Sequence, residues 1–574
     1  MAMGERSGER ANGASRRGFL AALAAGGGGL AFAELLAAAG VSEGPLSRAA
    51  VAAAERLAGL TFTDEQRDLV LAGLEEQAGA YAAMRELPLA NDVPLALQFR
   101  PDAFSEERPA LLQRVRTLPE RPPRALRPVP DEELAFLGAA ELGELLAARK
   151  LSSVELTRIY LERLRRLDPQ LLCVVNLLEE RALAAARRAD QELAARRPRG
   201  PLHGIPWGAK DLLAATGAPT TWGTGYFREQ VFPGDAAVVS RLEQAGAVLL
   251  AKLSLGELAW GDVWYGGTTK NPWRLEQGSS GSSAGSAAAT AAGLVGFAIG
   301  SETWGSIVSP CTRCGATGLR PTFGRVSRHG AMTLSWTMDK LGPIARRVED
   351  CALAFAAIAG PDGLDPTVVD RPFDWTARPD PRKLRLGYVP ALFEADPPPG
   401  EEEARAHELA ALDVLRRLGF RLVPVTLPAL PVEPLAIILT VEAGAAFDDF
   451  TLGGGVDTMV RQGEESWPQV FRAARFIPAV EYLRANRIRS LLIREMNRSL
   501  AAVDALVTPS FGGDQLLLTN LTGHPAVVLP NGFRSDGTPT SLTFVGRLYG
   551  ELEILTVADL YQRETGFHLR RPPL

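Results

Sequence analysis

Residues 277–286 read QGSSGSSAGS, and they run without a break into SAAATAAGLVG, residues 286–296. On composition the first stretch is a flexible linker, because glycine and serine carry nothing to pack. Linkers do not usually abut a helix-forming block in mid-chain. The competing reading is a glycine-rich loop that places one hydroxyl for chemistry, with Ser279, Ser280, Ser282, Ser283 and Ser286 as the candidates.

The surrounding pattern narrows what such a loop can belong to. Strand-like runs (AVLLAK, 247–252; LVGFAIG, 294–300) alternate with helical ones (DAAVVSRLEQAG, 235–246), which predicts an α/β body with a large buried sheet. Ser152-Ser153-Val154-Glu155 has capping-box spacing and opens a helix whose apolar stripe is Leu156, Ile159, Tyr160, Leu164 and Leu167. A second helix is expected over 174–197, ending before Pro198, and a third over 401–420, followed by a strand in RLVPVTLP. With 574 residues, 46% of them hydrophobic, the chain has ample material for a large core. A net charge of −5, with basic residues interleaved among acids, argues against a nucleic-acid surface.

The N-terminal part reads separately. Ser15-Arg16-Arg17-Gly18-Phe19-Leu20 precedes an apolar, glycine-rich run that stops at Glu34, the pattern of a twin-arginine export signal. The run from Gly18 to Ala33 is short for a spanning helix. The expectation is therefore a signal peptide over 1–39, export to the periplasm or beyond, and no stable membrane span once the signal is removed. Residues 40–130 read as a helical extension, with capping-box spacing at Thr63-Asp64-Glu65-Gln66 and a stiff proline-rich connector, LPERPPRALRPVP (118–130). Residues 131–574 then form the main domain.

No motif calls for a metal or a cofactor. Cys311-Thr-Arg-Cys314 is a lone CxxC without a second pair or histidines at matching spacing, so it reads as a structural thiol pair. Glu401, Glu402 and Glu403 open a helix, where carboxylates suit the dipole and need no ion.

Two patterns compete for the nucleophile. Gly281-Ser282-Ser283-Ala284-Gly285 matches G-x-S-x-G, which would make Ser283 the nucleophile of a hydrolase elbow, served by His329, His407, His524 or His568. An elbow needs a strand directly before it, and residues 271–277 read as a polar turn. The other pattern spans more of the chain: Gly204-Ile205-Pro206-Trp207-Gly208-Ala209-Lys210-Asp211, then the Gly/Ser loop and alanine block, then Gly300-Ser301-Glu302-Thr303-Trp304-Gly305-Ser306-Ile307. With GSSAGSAAATAAGLVGFAIGSETWGSI (281–307), CGATGLRPTFGRVS (314–327) and LGPIARRVED (341–350) in order, the chain resembles the amidase signature family over roughly 131–570.

The resemblance implies an amidase-signature fold: an α/β domain with a large mixed β-sheet core covered by helices on both faces, here carrying a helical N-terminal extension. It implies Lys210 as general base, Ser282 as a bridging serine preceded by a cis peptide bond, and Ser306 as nucleophile, with no cofactor. The backbone N–H groups of Thr303, Trp304, Gly305 and Ser306 would hold the oxyanion. A serine hydroxyl needs a base to take its proton, and a lysine can be that base if burial lowers its pKa. Several positions depart from the commonest pattern. Trp304 replaces a glycine and puts a ring near the site as a substrate-binding group, Ala284 replaces another glycine, Glu302 replaces the usual Asp, and Val308 stands where many members have arginine.

Trp222, Trp264 and Trp336 are further candidates to line an apolar pocket. TPSFGG (508–513) resembles a loop leading toward it, and His524 reads as structural. The expected activity is hydrolysis of a small-molecule carboxamide through an acyl-enzyme on Ser306, with a homodimer left open. The rivals are the A-type component of an aminoacyl-tRNA amidotransferase, which acts with a partner, and a non-catalytic binding protein on the same scaffold.

Overall fold

The computed structural model describes residues 46–89, 96–97 and 129–574. The twin-arginine pattern, and the proline-rich connector up to residue 128, lie outside the described residues. The chain divides into two units, Met1–Glu75 and Glu76–Leu574. In the first, helix α1 (Arg48–Ala58) is capped by Ser47, whose hydroxyl accepts from Ala50 N. Helix α2 (Asp64–Arg85) begins there with the expected reciprocal cap: Thr63 N donates to Gln66 Oε1 (2.9 Å) and Gln66 N to Thr63 Oγ1 (3.2 Å). Glu55 and Arg67 pair across the two helices at 2.8 Å.

The second unit is built on an 11-stranded mixed sheet. In chain order its strands are β1 (Val174–Leu177), β2 (Pro206–Lys210), β3 (Val248–Leu253), β4 (Phe297–Glu302), β5 (Thr317–Arg320), β6 (Lys340–Ala345), β7 (Leu386–Tyr388), β8 (Leu422–Pro424), β9 (Ala505–Pro509), β10 (Ala526–Phe533) and β11 (Pro539–Gly546). Across the sheet they run β1-β3-β2-β4-β6-β5-β10-β11-β9-β7-β8. β2 lies between β3 and β4, parallel to both, and β6 returns antiparallel beside β4. Central strands are buried along their whole length, which is why PWGAK, VLLAKL and FAIGSE carry no polar alternation beyond residues with a specific job.

Helices cover both faces. Helix α3 (Ser153–Leu171) starts at the predicted box, with Ser152 and Glu155 each bonded to the other's backbone N–H. Its stripe at Leu156, Tyr160, Leu164 and Leu167 is buried. Residues 174–197 differ from the single helix expected. Val174–Leu177 form β1, antiparallel to β3, and helix α4 starts only at Glu179 and ends at Ala194. The cause is local. Leu172 adopts the left-handed conformation, and the Asp168 carboxylate accepts from the N–H groups of Cys173 and Val174, so the chain leaves α3 extended into a Val-Val pair.

The alanine block is helix α5 (Ala284–Ala291), and all eight of its residues are buried. Its residues are all small, and only small side chains let its backbone pack against β2, β3, β4 and β6 at once. Helix α6 (Val308–Cys314) packs on α5, while helices α7 (Val348–Ile358) and α10 (Glu551–Thr565) pack on each other and on the sheet. Helix α8 (Glu402–Arg417) lies against β10 and β11, with the Glu401 carboxylate on Arg534 and that of Glu403 on Ser535. The remaining labelled helix, α9 (Gln515–Leu521), follows β9. All four cysteines are buried free thiols. Because α5 has no room for added volume, Ala288→Leu is expected to lower the unfolding free energy by about 1–3 kcal/mol, measured by urea denaturation.

Candidate active site

The Gly/Ser stretch is a tightly held loop. Ser279 N donates to Thr269 O (2.8 Å), Ser280 N to Asp262 Oδ2 (2.8 Å), and the Ser280 and Ser309 hydroxyls lie 2.7 Å apart. At Gly281 an added Cβ would fall 1.9 Å from the Gly261 carbonyl oxygen, so only glycine fits that approach. The peptide bond between Gly281 and Ser282 is cis, as the resemblance implied. Residues 271–277, read as a polar turn, instead belong to a two-stranded ribbon, Lys270–Asn271 with Arg274–Gly278. It stands apart from the main sheet, and its pairing is tertiary information that the sequence does not display.

The elbow reading of Ser283 therefore fails for a different reason than the missing strand. The Ser283 hydroxyl is fully buried; it donates to Ser301 O (3.0 Å) and accepts from Ser301 N (3.1 Å). Among the described residues no histidine hydrogen-bonds to it. His524 is buried with its Nδ1 2.8 Å from Thr522 Oγ1, and burial, aided by the Arg320 charge, pushes its pKa down to about 3.

Lys210, the last residue of β2, is fully buried. Its Nζ donates to Ser282 Oγ at 2.7 Å, Ser301 Oγ at 2.8 Å and Ser283 Oγ at 3.1 Å. In its protonated form its three N–H groups meet three hydroxyls and no carboxylate. The adjacent carboxylate, Asp211, is taken by another buried lysine: Lys252 Nζ lies 2.6 Å from Asp211 Oδ1. The contrast sorts the two lysines. Burial pushes the pKa of Lys210 well below its ordinary value, and the charges of Asp339 and Glu302 oppose this without cancelling it. Lys252, beside its own carboxylate, is the structural partner of an ion pair.

Ser306 lies on the turn that follows β4, 9% exposed, with Gly305 at φ 82°, a left-handed position suited to glycine. This turn is tied to the serine loop by Ser283 N donating to Ser306 O (3.1 Å). It is also held from below by Glu302. One oxygen of that carboxylate accepts from Ile307 N (2.8 Å) and Val308 N (2.9 Å), at the start of α6; the other accepts from Arg320 Nη1 (2.7 Å) and Asn520 Nδ2 (2.9 Å). Burial pushes the Glu302 carboxyl up, but the Arg320 guanidinium and the N–H donors outweigh it and hold the pKa at about 2. Leu516 of α9 packs against Gly305.

The structure thus brings Lys210 and Ser282 into contact and sets Ser306 on a turn bonded to the same loop. Trp304 is 44% exposed on that turn. Trp222 and Trp264 pack with other aromatic rings: Trp222, partly buried against the core, lies among Phe227, Phe232 and Phe447, and Trp264 is buried against Tyr265. Sequence reasoning missed Ser301, Ser283 as a lysine partner, and Asp339, whose carboxylate accepts from Thr303 Oγ1 (2.6 Å), Leu334 N and Ser335 N. For Ser301 a signal existed, a hydroxyl inside an otherwise apolar buried strand. For Asp339 there was none.

With Arg320 and Glu302 both fully buried, Glu302→Ala is expected to cost about 3–5 kcal/mol, because it strands the guanidinium. For Glu302→Gln the stability deficit relative to the native chain is expected to be present at neutral pH and to shrink as pH falls from 4.5 to about 2, where the native carboxylate becomes protonated. Chemical denaturation across that pH range measures both.

Comparison with known proteins places the fold. A family model described as Amidase matches residues 155–518. The A-type component of the glutamyl-tRNA(Gln) amidotransferase of Chloroflexus aggregans is 38% identical over 492 residues, covering 77% of this chain and 99% of that protein. Its counterpart from Methylococcus capsulatus is 37% identical over 481 residues, covering 75% and 98%. Among solved structures, the peptide amidase of Stenotrophomonas maltophilia superposes with a TM-score of 0.68 at 33% identity, covering 78% of this chain and 99% of that one.

Proposed function

The chain belongs to the amidase family, and from that premise we propose that it hydrolyses the C–N bond of a carboxamide through an acyl-enzyme on Ser306. The observation that carries the reading is the buried Lys210 amine, 2.7 Å from Ser282 Oγ and without a carboxylate partner. As a neutral amine it has a lone pair to accept the Ser282 proton, while Ser282 accepts that of Ser306. Ser306 Oγ then attacks the carbonyl carbon, and the oxyanion is held by the backbone N–H groups of Thr303, Trp304, Gly305 and Ser306. The proton returns from Lys210 through Ser282 to the departing nitrogen, the C–N bond breaks, and water repeats the sequence on the ester. Asp339 and Glu302 position this machinery through Thr303 and the α6 N–H groups. Residues 131–574 form the catalytic domain in this reading.

Two acyl donors divide it. The curated relatives, A-type components of glutamyl-tRNA(Gln) amidotransferases matched over nearly their full length, favour glutamine, with ammonia passed to a partner protein. The peptide amidase likeness supports a stand-alone hydrolase of small amides. Ammonia release from glutamine, measured alone and with a B-type partner, separates them. A rise of at least about tenfold with the partner favours the first, and turnover of other amides by the isolated chain favours the second. The twin-arginine pattern at Ser15–Leu20 supports export and with it the stand-alone form. Cell fractionation tests this, and retention in the cytoplasm counts against it.

Ser306→Ala is expected to abolish fluorophosphonate labelling and to lower kcat by about 10⁴-fold or more. Lys210→Ala is expected to lower kcat by about 10²–10⁴-fold with little change in KM. Labelling that survives Ser306→Ala and vanishes in Ser283→Ala would move the nucleophile.

A further inference from the structure

A cavity of about 350 Å³ opens beside the lysine cluster, a volume within the range of small-molecule sites. Ser301, whose hydroxyl lies 2.8 Å from Lys210 Nζ, and Thr303, three residues before Ser306, form part of its wall, which includes neither Ser282 nor Ser306 themselves. Most of the remaining wall is apolar, from Leu212, Met332, Leu334, Leu341, Leu364 and Trp336. Trp336 and Leu364 are respectively 48% and 40% exposed, so this wall reaches the surface.

The titratable groups facing the cavity are Arg328, Asp339, Asp365 and His329. The three charged ones are already committed. Arg328 Nε and Nη2 donate to the two oxygens of Asp365 (3.0 and 3.5 Å), its Nη1 to Trp336 O (2.7 Å), and its Nη2 also to Thr367 Oγ1 (3.0 Å). Asp339 accepts from Thr303 Oγ1 and from two backbone N–H groups. The His329 side chain belongs to an exposed residue. A free amino acid entering here would bring an ammonium and a carboxylate. The ammonium would meet only Asp339, already bonded to three neutral donors, while the carboxylate would either lose its water without a counter-charge or break the Arg328–Asp365 pair and strand one partner. A neutral, apolar acyl group meets neither obstacle and gains by burial.

We propose that this cavity is the acyl site of the Ser306 centre and that it selects uncharged apolar or aromatic acyl groups over amino-acid side-chain amides such as glutamine. This rests on the Ser306 reading given above. It weighs against glutamine, the donor that the curated relatives favour. A larger, more polar cavity of about 500 Å³ is lined by Ser309, Thr312, Arg313, Arg405, Glu408 and Arg534. It touches none of the hydroxyls on Lys210.

The test is ammonia release by the full chain from hexanamide, 3-phenylpropanamide, acetamide and glutamine. The kcat/KM values for hexanamide and 3-phenylpropanamide are expected to exceed that for glutamine by about 100-fold or more. Met332→Trp and Leu364→Trp, which fill the cavity from two positions, are each expected to lower the hexanamide-to-acetamide ratio by about tenfold, with thermal melts verifying that both fold. Glutamine at or above the apolar amides, or an unchanged ratio in both folded variants, overturns the pocket inference while Ser306 still labels with a fluorophosphonate. If Ser306 labels but none of the four amides turns over, equal labelling rates for octyl and methyl fluorophosphonates overturn it, and a faster octyl rate supports it. Absence of any label on Ser306 overturns the acyl-enzyme reading and the pocket inference together.

Discussion

A lysine amine buried at the end of a central strand, with hydroxyls around it and its neighbouring carboxylate already occupied, is the constraint on which the site depends. Charged groups are rarely taken out of water unless they are paired. Asp211, the residue next to Lys210, could have paired with it, but the 2.6 Å contact with Lys252 commits it elsewhere. What remains for Lys210 is a ring of serines drawn from residues 282, 283 and 301. Such a ring satisfies an ammonium by hydrogen bonding but supplies no counter-charge, so the neutral amine becomes accessible. The parallel pairing of β2 with β4, and the burial of α5 against both, bring these segments to one point.

The second constraint is the ion pair beneath the turn that carries Ser306. A short helix such as α6 has N–H groups that nothing in the helix can satisfy. Glu302 reaches forward to two of them while its other oxygen holds Arg320 and Asn520. The turn carrying Ser306 is thereby fixed between the end of β4 and the start of α6. The departure from Asp to Glu at this position keeps the carboxylate and lengthens its reach. Val308, in place of the arginine common in the family, is buried at that helix start and contributes an N–H group and an apolar side chain.

Much of this was legible in the sequence. Alternating runs gave the α/β sheet, capping boxes at Thr63 and Ser152 marked two helix starts, and the ordered block from Lys210 to Ser306 pointed to segments that the structure brings together, with Lys210 on Ser282 and Ser306 on a turn bonded to the same loop. The misses share a cause. The strand at Val174–Leu177 and the ribbon at 270–278 are decided by pairing partners far along the chain and by the Asp168 carboxylate, not by local propensity. Asp339 joins the site through a tertiary contact with Thr303. Trp222 and Trp264 looked like pocket residues because a tryptophan's composition signal is the same in a core and in a cleft. Only the packing separates them from Trp336, which faces the cavity.

The central claim is that Lys210 acts as a neutral amine through Ser282, and the most direct measurement of it is the rate of Ser306 labelling by a fluorophosphonate as a function of pH. The account predicts a rate that rises with pH through an ionisation well below that of an ordinary lysine and then levels off. That ionisation should disappear in Lys210→Ala, leaving a slow rate without the same limb. A profile unchanged by Lys210→Ala, or one whose only ionisation lies at the ordinary lysine value, would contradict it.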